Sequence, residues 1–129
     1  PGNLGTMIRT AAAFGLDVAV LGGADPWSPK TLRAAAGAHF HTSVVEIERL
    51  QEVDAAKVAT VLKNGDPPRA LPSGRLALLI GSEAHGLSPE ALASADVRIS
   101  IPMPGGIESL NAAAAAAILC YEVARRKGA

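Results

Sequence analysis

Apolar and polar positions along this chain switch repeatedly between two spacings, which predicts helices and strands in turn. Residues 5–14 carry apolar side chains at helical spacing, with Asn3 a candidate cap and Gly15 a stop. Val18–Leu21 is a short unbroken apolar run, the pattern of a strand covered on both faces. Ser28-Pro29 supplies a cap followed by proline at the first helical position, and Gly37 ends that helix. Residues 42–45 form a weaker strand candidate. Between 47 and about 62 the pattern is mixed: a helix is expected first, then a strand over 58–62. Asn64-Gly65-Asp66-Pro67-Pro68, then Pro72-Ser73-Gly74, predict the longest loop and the main internal break. Residues 76–80 are the strongest strand candidate. Ser88-Pro89-Glu90 opens a short helix, residues 97–101 read as a further strand, and residues 109–126 as a long helix containing the alanine run 112–117. Interleaved in this way, the elements predict an α/β fold, a mostly parallel sheet with helices on both faces.

Composition narrows the possibilities. Of 129 residues, 49% are apolar and 19% charged, enough to bury a core in one domain and too few for two of ordinary size. Lys+Arg and Asp+Glu both number 12, so the formal net charge is zero. Bulk electrostatic attraction to nucleic acid is therefore excluded. An RNA partner has to be met by a local patch, a second copy or a segment outside this sequence. The one cysteine, Cys120, excludes a disulfide framework and a multi-cysteine zinc site, and reads as a small buried residue. Aromatics at 3% do not make a base-stacking platform, and Trp27 alone is none. No apolar run approaches the ~20 residues of a membrane span, and no leader pattern opens the chain, so a soluble cytoplasmic protein is expected. The opening Pro1-Gly2-Asn3, without methionine, leads to the expectation of a fragment or processed product.

Candidate chemistry lies in two glycine-bearing loops, residues 81–88 and 102–109, each following a strand where open parallel sheets bind ligands. The first nearly matches a phosphate-binding loop, with Gly81, Gly86 and Ser88 in place. Leu87, however, stands where the lysine belongs, and Glu83 would repel phosphate. ATP or GTP hydrolysis is excluded on that ground, and no dinucleotide-binding glycine pattern follows a strand. Such loops suit a ligand with a neutral or cationic reactive end and an adenine. Main-chain groups would read the adenine edge while Ile101, Met103 and Leu110 line its faces. His39 and His41 form an H-x-H pair without a third ligand, so no metal site is expected. His85 reads as a loop-surface residue, and Arg125, Arg126 and Lys127 suit the negative end of a helix.

Three segments carry a resemblance to a known family. Asn3-Leu4-Gly5-x3-Arg9-Thr10-Ala11-x2-Phe14-Gly15 resembles motif 1 of the SpoU (TrmH-like) group of SPOUT-class RNA 2′-O-ribose methyltransferases. Leu79-Ile80-Gly81-Ser82-Glu83-x2-Gly86-Leu87-Ser88 resembles motif 2. Ile101-Pro102-Met103, with Glu108-Ser109-Leu110-Asn111 and the alanine-rich helix, resembles motif 3. The similarity covers nearly the whole chain in the family's order.

The resemblance implies that residues 1–129 are a SpoU-like catalytic domain. Its C-terminal part would be threaded into a trefoil knot, which chain-topology rules alone would never suggest. It also implies S-adenosylmethionine at Gly81, Ile101, Met103 and Leu110, a homodimer built on the first and last helices, and methyl transfer to a ribose 2′-hydroxyl of tRNA or rRNA. Asn3, Arg9, Glu83, Ser109 and Asn111 would be the catalytic groups. Read without the resemblance, Arg9 is a solvated helix residue, Glu83 a surface acid, and Asn3, Ser109 and Asn111 helix-cap or first-turn residues. The alternatives are a knotted cofactor- or RNA-binding module without catalysis and a flavodoxin-like nucleotide-binding domain. The family pattern includes a strand before motif 1 and commonly an N-terminal RNA-binding domain, neither found in this sequence. Residues 51–75 are short beside that pattern, so one strand and one helix are expected to be abbreviated.

Overall fold

The first helix, α1, spans Gly2–Ala13 and buries Gly5, Ile8 and Ala11 along one face. The computed structural model describes residues 2–82 and 85–127. Because α1 starts earlier than its apolar spacing predicts, Asn3 lies inside the first turn rather than at the cap. Gly15 adopts a left-handed conformation (φ 71°) just beyond the helix, as its stop role requires. Helix α2, Pro29–Ala35, is capped by Ser28, whose hydroxyl accepts the Thr31 N–H at 3.2 Å. It ends on two successive left-handed residues, Ala36 (φ 51°) and Gly37 (φ 84°), so the stop begins one residue before the glycine.

These helices cross closely. Ile8, Ala35 and Ala38 form a buried cluster against which Leu4, Ala12, Val18 and Val44 pack. Strands β1 (Val18–Leu21) and β2 (Val44–Ile47) pair in parallel, Val18 opposite Val44 and Leu21 opposite Ile47. The helix expected after residue 47 is only a single 3-10 turn, Leu50–Glu52. There the Glu52 carboxylate accepts the N–H groups of Glu48 and Arg49 at 2.7 and 2.8 Å. These bonds hold its pKa below the ordinary range and satisfy backbone donors locally before the chain enters the next strand.

That strand, β3, covers Ala56–Thr60 and is the centre of a second parallel sheet in the order β4-β3-β5, with β4 at Leu76–Leu79 and β5 at Val97–Ile99. Val58 and Ala59 are fully buried in it. The strands are parallel, as expected, but they hydrogen-bond as two sheets instead of one. The chain correspondingly divides into two compact units. One runs to Glu52 and resumes at Ala116, and the other is Val53–Ala115.

In the second unit the chain leaving β3 clasps the end of β5. The Val61 N–H donates to the Ile99 carbonyl, Asp66 N–H to the Arg98 carbonyl, and Ser100 N–H to the Asp66 carbonyl. Gly65 is required here, because a Cβ would lie 2.6 Å from the Ser100 nitrogen. Helix α3, Pro89–Ser94, is capped by Ser88 as the sequence predicts. Helix α4, Ala112–Arg126, starts at Ala112 and not at residue 109. Ala113, Ala116, Leu119, Cys120, Val123 and Ala124 form its buried stripe, so part of the alanine run is used inside the chain. Phe14 meets Tyr121 edge-on, with ring centroids 6.1 Å apart.

Candidate active site

Parallel strands put their carboxyl ends at one edge of a sheet, and the candidate cofactor residues start from that edge. Leu79, the last residue of β4, pairs with Ala59, and Ile99, the last of β5, pairs with Thr60. Gly81 and Ile101 therefore follow two strands that flank β3, roughly 10 Å apart. The Thr60 hydroxyl donates to the Leu79 carbonyl at 2.8 Å and ties two of these strand ends together. Ile101 and Met103 are half-buried on the loop leaving β5. Ser109 and Leu110 are exposed at the end of that loop.

The loop after β4 closes on itself. Ser82 and Gly86 form an antiparallel bridge, Gly86 N–H donates to the Ser82 carbonyl at 2.8 Å, and His85 N–H donates to the Ser82 hydroxyl at 3.1 Å. A Cβ on Gly81 would lie 2.2 Å from the Gly86 carbonyl carbon and 2.4 Å from the Leu87 nitrogen. The absence of a side chain at Gly81 is thus demanded by the loop's own backbone. Glu83, expected to be catalytic, lies outside the described residues.

Asn111 has an identifiable structural role. Its Oδ1 accepts the N–H groups of Ala113 (2.9 Å) and Ala114 (3.2 Å), capping α4. Asn3 and Arg9 both stand on α1 in the other unit, but about 120° apart around the helix. Asn3 is half-buried and Arg9 exposed. Arg9 borders an open cleft of about 260 Å³ with Ala12, Ala13, Ala35, Ala36, Ala38 and His41. His39 does not join His41 there; its Nε2 lies 2.7 Å from the Pro26 carbonyl. Among the described residues no cluster of His, Cys, Asp and Glu could hold a metal ion.

Two sequence readings sharpen and one residue is added. Arg125 is engaged by Glu122 (Nη2 to Oε1, 2.6 Å) on a solvent-facing turn, which draws the Glu122 carboxyl below its ordinary pKa. Cys120 is buried in α4, and desolvation pushes its thiol up to about 11. Leu62, on the loop leaving the carboxyl end of β3, is 60% exposed and belongs to none of the three motifs. Its signal was the apolar pair Val61-Leu62 running directly into the Lys63-Asn64-Gly65 turn.

Glycine turns and exposed apolar side chains (Leu62, Ile107, Leu110) on the loops that follow β3 and β5 mark an α/β domain of the kind that binds ligands beyond the carboxyl ends of its strands. The chain belongs to the SpoU rRNA methylase family, whose model matches residues 1–121. It is 46% identical over 132 aligned residues to the 23S rRNA (guanosine(2553)-2′-O)-methyltransferase RlmP of Bacillus subtilis, covering 95% of this chain and 53% of that protein. Among solved structures it resembles the SpoU methyltransferase AviRb of Streptomyces viridochromogenes in complex with AdoMet, with a TM-score of 0.90 and 33% identity. That match covers 100% of this chain and 54% of the other. A protein described for 2-OH methylation of C/U34 on tRNA matches at a TM-score of 0.87 and 30% identity, across 99% of this chain and 90% of that one. The chain thus spans about half the length of RlmP and AviRb.

Proposed function

We propose that residues 1–129 form the catalytic domain of an S-adenosylmethionine-dependent RNA 2′-O-methyltransferase acting on rRNA or tRNA. The observation that carries this reading is the carboxyl edge of the β4-β3-β5 sheet, where the loops leaving β3 and β5 carry exposed apolar side chains and the loop leaving β4 makes a tight glycine turn. That chemistry fits an adenosyl group, with Leu62, Ile101, Met103, Ile107 and Leu110 against its faces and the main chain around Gly81 reading its edges. S-adenosylmethionine supplies an electrophilic methyl group on a sulfonium. The protein's task is then to align the ribose hydroxyl in line with that methyl, exclude water and stabilise the alkoxide as the proton leaves.

Arg9 is assigned to the ribose or its flanking phosphate. A guanidinium has donors and no acceptor, so it orients oxygen and stabilises negative charge while the proton passes to phosphate or water. Asn3, Glu83, Ser109 and Asn111 are assigned catalytic roles by their motif positions, Asn111 while capping α4. We further infer a C-terminal trefoil knot, supported by membership of the SpoU rRNA methylase family. A homodimer is supported by Ile118 and Tyr121, 42% and 56% exposed on α4. We infer a cytoplasmic location from the likeness to the Bacillus subtilis rRNA methyltransferase. The test is mass mapping of ribose methylation in RNA from cells with and without the full-length gene. A ribose methyl lost with the gene supports the reading, and an unchanged methylation map contradicts it.

A further inference from the structure

Phe40 is the most exposed large apolar side chain among the described residues, at 91%, and it does not stand alone. With Trp27, Leu32, Gly37 and His39 it lines an open cleft of about 420 Å³. Trp27 and Leu32 are themselves 49% and 40% exposed. The Trp27 wall is fixed from behind. Its ring leans on His39, with centroids 4.9 Å apart and planes at 48°, while His39 Nε2 is held at 2.7 Å from the Pro26 carbonyl. The Trp27 N–H donates to Asp25 Oδ1, and the Thr31 hydroxyl to the Asp25 carbonyl, both at 2.9 Å. The cleft is thus bordered by one braced aromatic side chain, Trp27, and one solvent-exposed phenyl ring, Phe40.

What lies beside it selects the ligand. The left-handed pair Ala36-Gly37 forms a narrow ridge. Gly37 borders the aromatic cleft, while Ala36 and Ala38 border the neighbouring cleft that contains Arg9 and His41. Among the described residues, no carboxylate lines either cleft. Apolar planes on one side of a ridge, and the Arg9 guanidinium with the His41 imidazole on the other, complement an unstacked nucleobase joined to a phosphate.

We propose that the Trp27–Phe40 cleft stacks an unpaired base of the RNA substrate, with its phosphate crossing the Ala36-Gly37 ridge toward Arg9 and His41. This rests on the RNA-methylation reading for the substrate's identity, and it gives Trp27 the aromatic partner that its sequence neighbourhood did not reveal. Phe40 is a binding residue in this account. The experiment uses the full-length protein and a single-stranded RNA oligonucleotide carrying 2-aminopurine. Phe40→Ala should weaken RNA binding roughly 5- to 150-fold, the usual effect of losing one stacked base, and relieve the quenching of 2-aminopurine. Phe40→Tyr should restore both, and S-adenosylmethionine affinity should be unchanged in either variant. An unchanged RNA Kd in Phe40→Ala overturns the proposal. If that variant instead changes only the oligomeric state in sedimentation, the cleft is a contact between copies and the proposal falls. Loss of RNA binding in Phe40→Ala from a wild type that methylates no RNA would leave the cleft standing and overturn the enzymatic reading.

Discussion

Gly5 and Ala34 meet at the crossing of α1 and α2 with no room for a further atom. A Cβ on Gly5 would lie 2.5 Å from the Ala34 Cβ and 2.6 Å from the Thr31 carbonyl oxygen. The glycine of the Asn-Leu-Gly segment is therefore a packing requirement that sets where Arg9 projects from α1. Gly5→Ala should destabilise the fold by about 1–3 kcal/mol through overpacking. Urea unfolding checks this, and an unchanged midpoint would show that the helices separate without penalty.

Gly81 makes a second, different demand. Because its Cβ position is filled by the Gly86–Leu87 backbone, Gly81→Val should lower the Tm and cofactor affinity together. Leu62→Ala, at an exposed side chain, should lower cofactor affinity without moving the Tm. Calorimetry alongside thermal melts separates the two. A Gly81→Val protein that melts normally yet binds no cofactor would return Gly81 to direct ligand contact.

Asn111 joins a structural and a proposed chemical role, and its variants separate them. Asn111→Ala should cost about 1 kcal/mol of stability by removing the α4 cap. Asn111→Asp keeps the capping oxygen and should restore stability. Methyl transfer that recovers along with stability in Asn111→Asp would limit Asn111 to capping.

For Cys120 the folded thiol pKa of about 11 lies above the ordinary 9.0 because burial disfavours the thiolate. A raised pKa means that the native state binds the proton more tightly. The associated stability is complete below pH 9 and is lost as pH rises toward 11. The stability difference between wild type and Cys120→Ala should narrow across that window, and labelling by a thiol reagent at pH 8 should be slow until the protein unfolds. Fast labelling of the native protein would contradict the burial.

Local chemistry was readable in the sequence, and long-range packing was not. Ser28-Pro29 and Ser88-Pro89 announced their helices because a cap is a bond within three residues. The central strand β3 begins and ends two residues before the 58–62 that the apolar pattern predicts, because Ala56-Lys57 is weakly apolar. Its burial comes from β4 and β5 on either side, with Lys57 held at its edge by the Val53 carbonyl and Asp96. The helix expected after residue 47 gave way to one turn for the same reason, since the chain is drawn into that strand. Motif spacing singled out Gly81, Ile101 and Met103, which lie on the loops leaving β4 and β5, but neither the cap made by Asn111 nor the exposure of Leu62 and Phe40 has any sequence period.

The central claim is transfer of a methyl group to a ribose with Arg9 acting on the substrate. The direct measurement is single-turnover methyl transfer by full-length wild type and Arg9→Ala on a verified RNA, with products resolved as nucleosides and cofactor affinity measured in parallel. The account predicts a 2′-O-methylated nucleoside, a rate about 10²- to 10³-fold lower in Arg9→Ala, poor rescue by Arg9→Lys, and unchanged cofactor Kd. Near-normal turnover in Arg9→Ala, or a methyl group found on a base, would contradict it.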